Sequence, residues 1–173
     1  MLKHPIFAWS LVLCLCTAAA CSRDEGEERT TGDRSEKTGS RGDDAAIETI
    51  RAAARALAEP NPTVDYVAAE MEGVIKARTK SQALIHYDGY RATLTTPGDR
   101  VTVIKFELTE AKPSVAQLAE EFGEYEDHRK GVSFDYQVAS TGARLVVLAE
   151  PVEQPADMAS LVRRVTIQGA RTR

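Results

Sequence analysis

Apolar residues along the chain change period several times, and the changes come in the same order twice. Residues 45–59, AAIETIRAAARALAE, set Ile47, Ile50, Ala54 and Leu57 at helical spacing, with acidic residues before them and Arg51 and Arg55 towards the end. This predicts a helix. Pro60-Asn61-Pro62 ends it, because neither proline supplies the N–H that a helix interior needs. Residues 62–71, PTVDYVAAEM, then carry Val64, Val67 and Met71 at i, i+3 and i+7. Residues 113–122, PSVAQLAEEF, carry Val115, Leu118 and Phe122 at the same spacing. Both predict short amphipathic helices. Each opens on a proline and a hydroxyl: Ser114 with Gln117 fits a capping box, whereas Thr63 has Tyr66 in the reciprocal place and caps one way.

A charged loop follows each of these helices, and then the period drops to two. Asp88-Gly89 suits a two-residue hairpin turn. It pairs Tyr87 with Tyr90, Ile85 with Ala92 and Ala83 with Leu94 on one face, and leaves Leu84, His86, Arg91 and Thr93 on the other. Further on, a four-residue loop at 139–142 pairs Val138 with Ala143, Tyr136 with Leu145, Phe134 with Val147 and Val132 with Ala149. Ser133, Asp135, Gln137, Arg144, Val146 and Leu148 lie opposite. A third strand closes each set, at residues 100–108 (RVTVIKFEL) and about 161–167 (LVRRVTI).

Shifting the chain by 51 positions aligns Pro62 with Pro113, Val64 with Val115, Ala68 with Ala119, Glu70 with Glu121 and Arg78 with Arg129. With the shared order of patterns, this predicts an α+β fold: an N-terminal helix, then two tandem units, each a helix against three antiparallel strands, at about residues 62–110 and 113–168. A competing parse begins at Val101, uses residues 155–162 as a short helix, and gives a ferredoxin-like βαββαβ domain with an N-terminal extension. A single helix-flanked sheet of secretion-chaperone type is a third possibility.

The N-terminal stretch, MLKHPIFAWSLVLCLCTAAAC, changes the picture from fold to address. A basic start at Lys3, an apolar run from Ile6 and small residues before Cys21 are the layout of a secretory signal over residues 1–20. At about 15 residues the run is shorter than the roughly 20 of a spanning helix. Ala18-Ala19-Ala20-Cys21 resembles the bacterial lipobox, with Ala18 where leucine is usual, so Cys21 is the expected lipid attachment site; ordinary cleavage after Ala20 is the alternative. Ser22 in the next place resembles the outer-membrane sorting pattern. Residues 22–44 contain no aliphatic or aromatic side chain, which predicts a disordered tether with a reach of about 25 Å. Its Arg41-Gly42-Asp43 reads as part of that charged composition. The domain spans 45–168, and 169–173 form a tail. Cys14, Cys16 and Cys21 all lie in the signal or at its cut, so the exported domain has no internal disulfide and depends on packing. With 22 basic against 26 acidic residues, nucleic acid is not an expected partner.

A lipid anchor followed by helix, short loop and antiparallel strands resembles the SmpA/OmlA family of outer-membrane assembly lipoproteins. The tandem arrangement resembles the β-lactamase inhibitor protein. Ser114, Leu118, Phe122-Gly123 and Phe134-Asp135-Tyr136 fall where the family places its helix cap, helix core, post-helix glycine and aromatic strand. The family's usual proline is replaced by Glu124, and the inhibitor's disulfides have no counterpart. The resemblance implies a role in binding other proteins.

Residue patterns that carry chemistry are few. The exported chain has two histidines, His86 and His128, and no HExxH, phosphate-binding glycine loop or nucleophile elbow, so no enzyme, metal site or cofactor is expected. His86 near Asp88, and Asp127-His128, read as solvated histidines, and the acidic run at 120–127 as a solvated helix face and its exit. The outward sheet face is the candidate partner-binding surface: Leu84, His86, Arg91, Lys105, Asp135, Arg144, Val146 and Arg164 mix charge with aliphatic side chains, joined by Val103 and Leu148. Either a partner docks there, or the helix at 45–59 covers it. The expected function is a lipid-anchored, periplasm-facing protein-binding module of the outer membrane, in envelope assembly or maintenance. An anchored inhibitor or immunity-type protein for a secreted hydrolase is the alternative.

Overall fold

A computed structural model describes residues 41–169; the expected signal sequence, Cys21, the tether up to residue 40 and residues 170–173 lie outside the described residues. The first helix, α1, runs Arg41–Leu57. It begins a turn earlier than its apolar period suggests, so residues 41–44 belong to the helix and not to the tether, and Arg41-Gly42-Asp43 is its first turn. Asp43 and Asp44 suit the positive end of the helix dipole, and an Asp43 carboxylate oxygen accepts the backbone N–H of Lys112 at 2.7 Å.

Helix α2 (Val64–Glu70) starts at Thr63, whose hydroxyl accepts from the Tyr66 N–H. Helix α3 (Val115–Phe122) starts at Ser114 with the reciprocal Gln117 bond of a full capping box. The residue with positive φ after α2 is Glu72 (φ 51), and after α3 it is Gly123 (φ 90). The carbonyls of Pro62 and Pro113 accept from the N–H groups of Val101 and Val162, each at 2.8 Å. Thr63 bridges to Arg100, and Ser114 to Leu161.

The strands are β1 (Ile75–Arg78), β2 (Gln82–Tyr87), β3 (Tyr90–Thr95), β4 (Val103–Leu108), β5 (Tyr125–His128), β6 (Gly131–Gln137), β7 (Arg144–Pro151) and β8 (Val162–Gly169). They form one eight-stranded sheet in the order β1-β2-β3-β4-β8-β7-β6-β5, and every neighbouring pair is antiparallel. The fold is α+β. Both hairpins have the register that their alternation predicts: Tyr87↔Tyr90 and Ala83↔Leu94 in one, Tyr136↔Leu145 and Val132↔Ala149 in the other. Two corrections follow from the order. Each set holds four strands, not three, because β1 and β5 occupy segments expected to be charged loops. Residues 155–162 form turns and the start of β8, not the helix that the competing parse requires.

The strand alternation places one apolar row after another on a single face. Ile85, Ala92, Leu94, Ile104, Phe106, Val165, Ile167, Val147 and Phe134 on that face are fully buried. Helix α1 packs against β4 and β8 at the sheet's centre, flanked by α2 and α3. Its inner stripe is Ala46, Ile50, Ala53, Ala54 and Leu57. The alanines let its backbone come close enough for three helices to share one sheet face. Its polar ties agree: Thr49 and Tyr90 hydroxyls bond at 2.8 Å, and Arg51 reaches Glu121 of α3 at 3.2 Å. The helix therefore covers the apolar face and leaves the opposite one open.

Met71, just past α2, and Phe122, ending α3, are 2% and 4% exposed. Phe122 meets the Tyr136 ring edge-on at 5.1 Å. Met71→Ala and Phe122→Ala are each expected to cost about 2–5 kcal/mol, and exposed Glu72→Ala to stay within about 0.5 kcal/mol. Urea melts check this; a near-neutral Met71→Ala would mean that α2 contributes little to the common core.

Candidate functional site

All eight residues of the candidate surface lie on the open face, spread over six strands. His86, Arg91, Asp135 and Arg144 are exposed, and Leu84, Lys105, Val146 and Arg164 are half-buried. With neighbouring strands about 4.8 Å apart, the face is roughly 34 Å wide.

The registers arrange its side chains in rows across the strands. One row runs His86, Arg91, Glu107, Arg164, Glu150. Next to it runs Leu84, Thr93, Lys105, Thr166, Leu148, Ser133. A third runs Gln82, Thr95, Val103, Gln168, Val146, Asp135. The first row alternates sign over four successive strands. Arg91 Nε donates to Glu107 Oε2 at 2.6 Å, Lys105 Nζ lies 3.3 Å from Glu107 Oε1, and Arg164 donates to Glu150 Oε2 at 2.7 Å. The Arg164 Nε, buried, has no hydrogen-bond partner among the described residues.

Candidate cations thus converge on two carboxylates, Glu107 and Glu150, that the sequence reading of this face did not include. The signal was present in RVTVIKFEL: the period of two that points Val103 and Lys105 outward also points Glu107 outward. Glu107 and Glu150 offset cations of this face. Asp135 and Arg144 stand apart from this ladder, at a shallow hollow of about 160 Å³ shared with Tyr136, Gln137 and Leu145.

The remaining polar groups do not assemble into reactive sites. Asp127 pairs opposite Val132, and His128 opposite Gly131. Successive strand residues point to opposite faces, so Asp127 and His128 do not converge on one ion. His128 Nε2 and Ser133 Oγ bond at 2.6 Å on the exposed strand surface. Among the described residues no group of three His, Cys, Asp or Glu side chains could hold a metal ion. Across the molecule, a hollow of about 350 Å³ is lined by Glu48, Glu70, Glu72, Tyr87 and Tyr90. The two tyrosine rings stack 4.6 Å apart, and the Tyr87 hydroxyl donates to the Met71 carbonyl at 3.1 Å. Burial pushes the Tyr87 hydroxyl well above its usual range, so it stays protonated at neutral pH.

No protein family matches the chain, and no curated protein or solved structure does either.

The hydrogen bond from Arg91 holds the Glu107 carboxyl below its usual range against the opposing effect of burial, with Lys105 adding to it. A lowered folded-state value means that this group's stabilisation is present above the unfolded carboxyl pKa and is lost as pH falls through the folded value. Carboxyl-carbon NMR titration should find Glu107 below the ordinary glutamate range in the wild type. In Arg91→Ala its midpoint should rise, and the acid-induced loss of stability should begin at a higher pH. An unchanged midpoint would show that the Arg91 bond does not form in solution.

Proposed function

We propose that the protein is a lipid-anchored, periplasm-facing, non-enzymatic binding module of the outer membrane, built of two tandem helix-plus-sheet units, whose open sheet face receives a protein partner in envelope assembly or maintenance. One observation carries the binding role: α1, α2 and α3 crowd onto one face, while the other face of eight strands stays uncovered among the described residues. That face carries aliphatic side chains between alternating charges. A complementary surface has something to read there by sign and spacing, which is how charged interfaces obtain specificity.

The tandem reading draws support from equivalent parts 51 positions apart. They include the N-cap hydroxyls of Thr63 and Ser114, and the Pro62 and Pro113 carbonyl bonds and neighbouring bridges, whose partners at Arg100-Val101 and Leu161-Val162 lie 61 positions apart. Anchoring rests on the sequence around Cys21. No described helix is long and apolar enough to cross a membrane.

Two experiments test the proposal. Cys21→Ser should move the protein from the membrane to the soluble fraction or stall its precursor, because the acyl chains supply the strong attachment. A processed mutant that stays membrane-bound at high salt would overturn the anchor. For the face, Leu148→Glu and Val146→Glu change half-buried positions near its middle. Pulldown from detergent-solubilised envelope should recover a membrane component with the wild type and lose it with both variants while their melting midpoints stay close to wild type. Recovery of a soluble hydrolase would instead support the inhibitor role, and retention of the partner by both variants would move the binding site off this face.

A further inference from the structure

The two edges of the sheet are chemically opposite. Edge strand β1 and its turn read Ile75-Lys76-Ala77-Arg78-Thr79-Lys80, and edge strand β5 with its entry reads Glu124-Tyr125-Glu126-Asp127-His128. Lys76, Arg78 and Lys80 are exposed, as are Glu124, Glu126 and Asp127. Within the sheet each edge strand pairs with one neighbour, so its outer side presents a row of backbone groups to which another strand can add.

We infer that these edges pair with each other between copies of the chain: the basic β1 of one molecule adds to the acidic β5 of the next. Strand direction permits it without inversion. Eight strands that alternate in direction leave β1 and β5 antiparallel to each other. A second copy set alongside by translation, with the normal sheet twist, brings its β1 antiparallel to β5 of the first. With the four-residue strands fully overlapped, Lys76, at the bulge of β1, faces Asp127; Ala77 faces Glu126; and Arg78, which also bonds Asp65 at 3.2 Å, faces Tyr125 with Asp127 diagonal to it. At the other end, Glu72 approaches Arg129 and Lys130. The contact rests on the opposite charge of the two edges, with the Lys76–Asp127 pair at its centre.

Charge also decides against the symmetric alternatives. Pairing β1 with β1, or β5 with β5, around a two-fold axis sets like charges together, which is a recognised way of protecting edges from self-association. What remains is a head-to-tail contact, which grows into an open array and does not stop at a dimer. Each exposed ion pair is individually weak, so the association depends on concentration and on salt.

The full chain in mild detergent, as mixed ¹⁴N and ¹⁵N preparations, tests this by sedimentation and by zero-length carbodiimide coupling of lysine to carboxylate. At low salt the expected results are concentration-dependent association and mixed-isotope crosslinks from Lys76 or Lys80 to Glu124, Glu126 or Asp127. At about 0.5 M salt, where the screening length falls to about 4 Å, association should weaken about tenfold or more. K76E/K80E and E126K/D127K change exposed side chains, and circular dichroism reports whether their fold persists. Each should lose self-association alone, and a mixture of the two should regain it. A chain that sediments as a monomer at every concentration overturns the inference. So does association that survives either variant, or crosslinking confined to β1–β1 or β5–β5 contacts. Binding of a β1 peptide to the acidic edge without association of the chain itself would also overturn it, in favour of a foreign strand.

Discussion

The pairing of β4 with β8 is the contact on which the rest of the structure depends. These strands are far apart in sequence, and each ends a run that begins with a capped helix. Their ladder sets Ile104 against Ile167 and Phe106 against Val165, all fully buried, and turns two half-sheets into one surface. Helix α1 packs over this seam. Without the seam, α1 would have two narrow apolar strips to cover instead of one broad floor, and its alanines could not follow both. In a domain without disulfides, that shared floor is where packing holds the halves together. The Pro62 and Pro113 carbonyl bonds attach each short helix's entry to the segment leading into the central strands, so helix placement and sheet closure are coupled.

The sequence was informative where one period ran long enough between clear stops. Both hairpins could be read to the residue because four apolar pairs cannot be shifted by one position without exposing the whole set. Strands β1 and β5 escaped notice for the opposite reason. IKAR and YEDH are four residues long and half charged, with only their first residue packed against the core, so no alternation separates them from a loop. Their place is fixed by neighbouring strands, which is tertiary information. The start of α1 was missed similarly: Arg41-Gly42-Asp43-Asp44 has no apolar period, and the Asp43 bond to Lys112 that helps hold it spans 69 positions.

Which face α1 covers was also beyond sequence reading, because aliphatic residues occur on both faces. The structure explains why Val103, Val146, Leu148 and Leu84 can sit on the open side. In the interior of a wide sheet each side chain has neighbours on both adjacent strands: Val103 lies between Thr95 and Gln168, Val146 between Gln168 and Asp135, and Leu148 between Thr166 and Ser133. These residues become half-buried without a partner. Among the described residues, the large apolar side chains that are more than one-third exposed are elsewhere: Tyr66, Val74, Val152, Met158 and Leu161.

This distribution limits what the open face can do. A docking surface driven by apolar burial would concentrate exposed large side chains at its centre, whereas here the centre carries Lys105, Glu107, Arg164 and Glu150. Those charges already satisfy one another in part, as Arg91, Lys105 and Glu107 do at one end and Arg164 and Glu150 at the other. A partner must therefore replace existing ion pairs and gain only the difference, which favours discrimination between partners over tight binding. The buried Arg164 Nε is the exception, since it has no described bond to give up. An acceptor brought to it would satisfy a group that the described residues leave without a partner. The middle of the charge ladder, with Leu148 and Val146 beside it on β7, is accordingly where recognition on this face has most to gain.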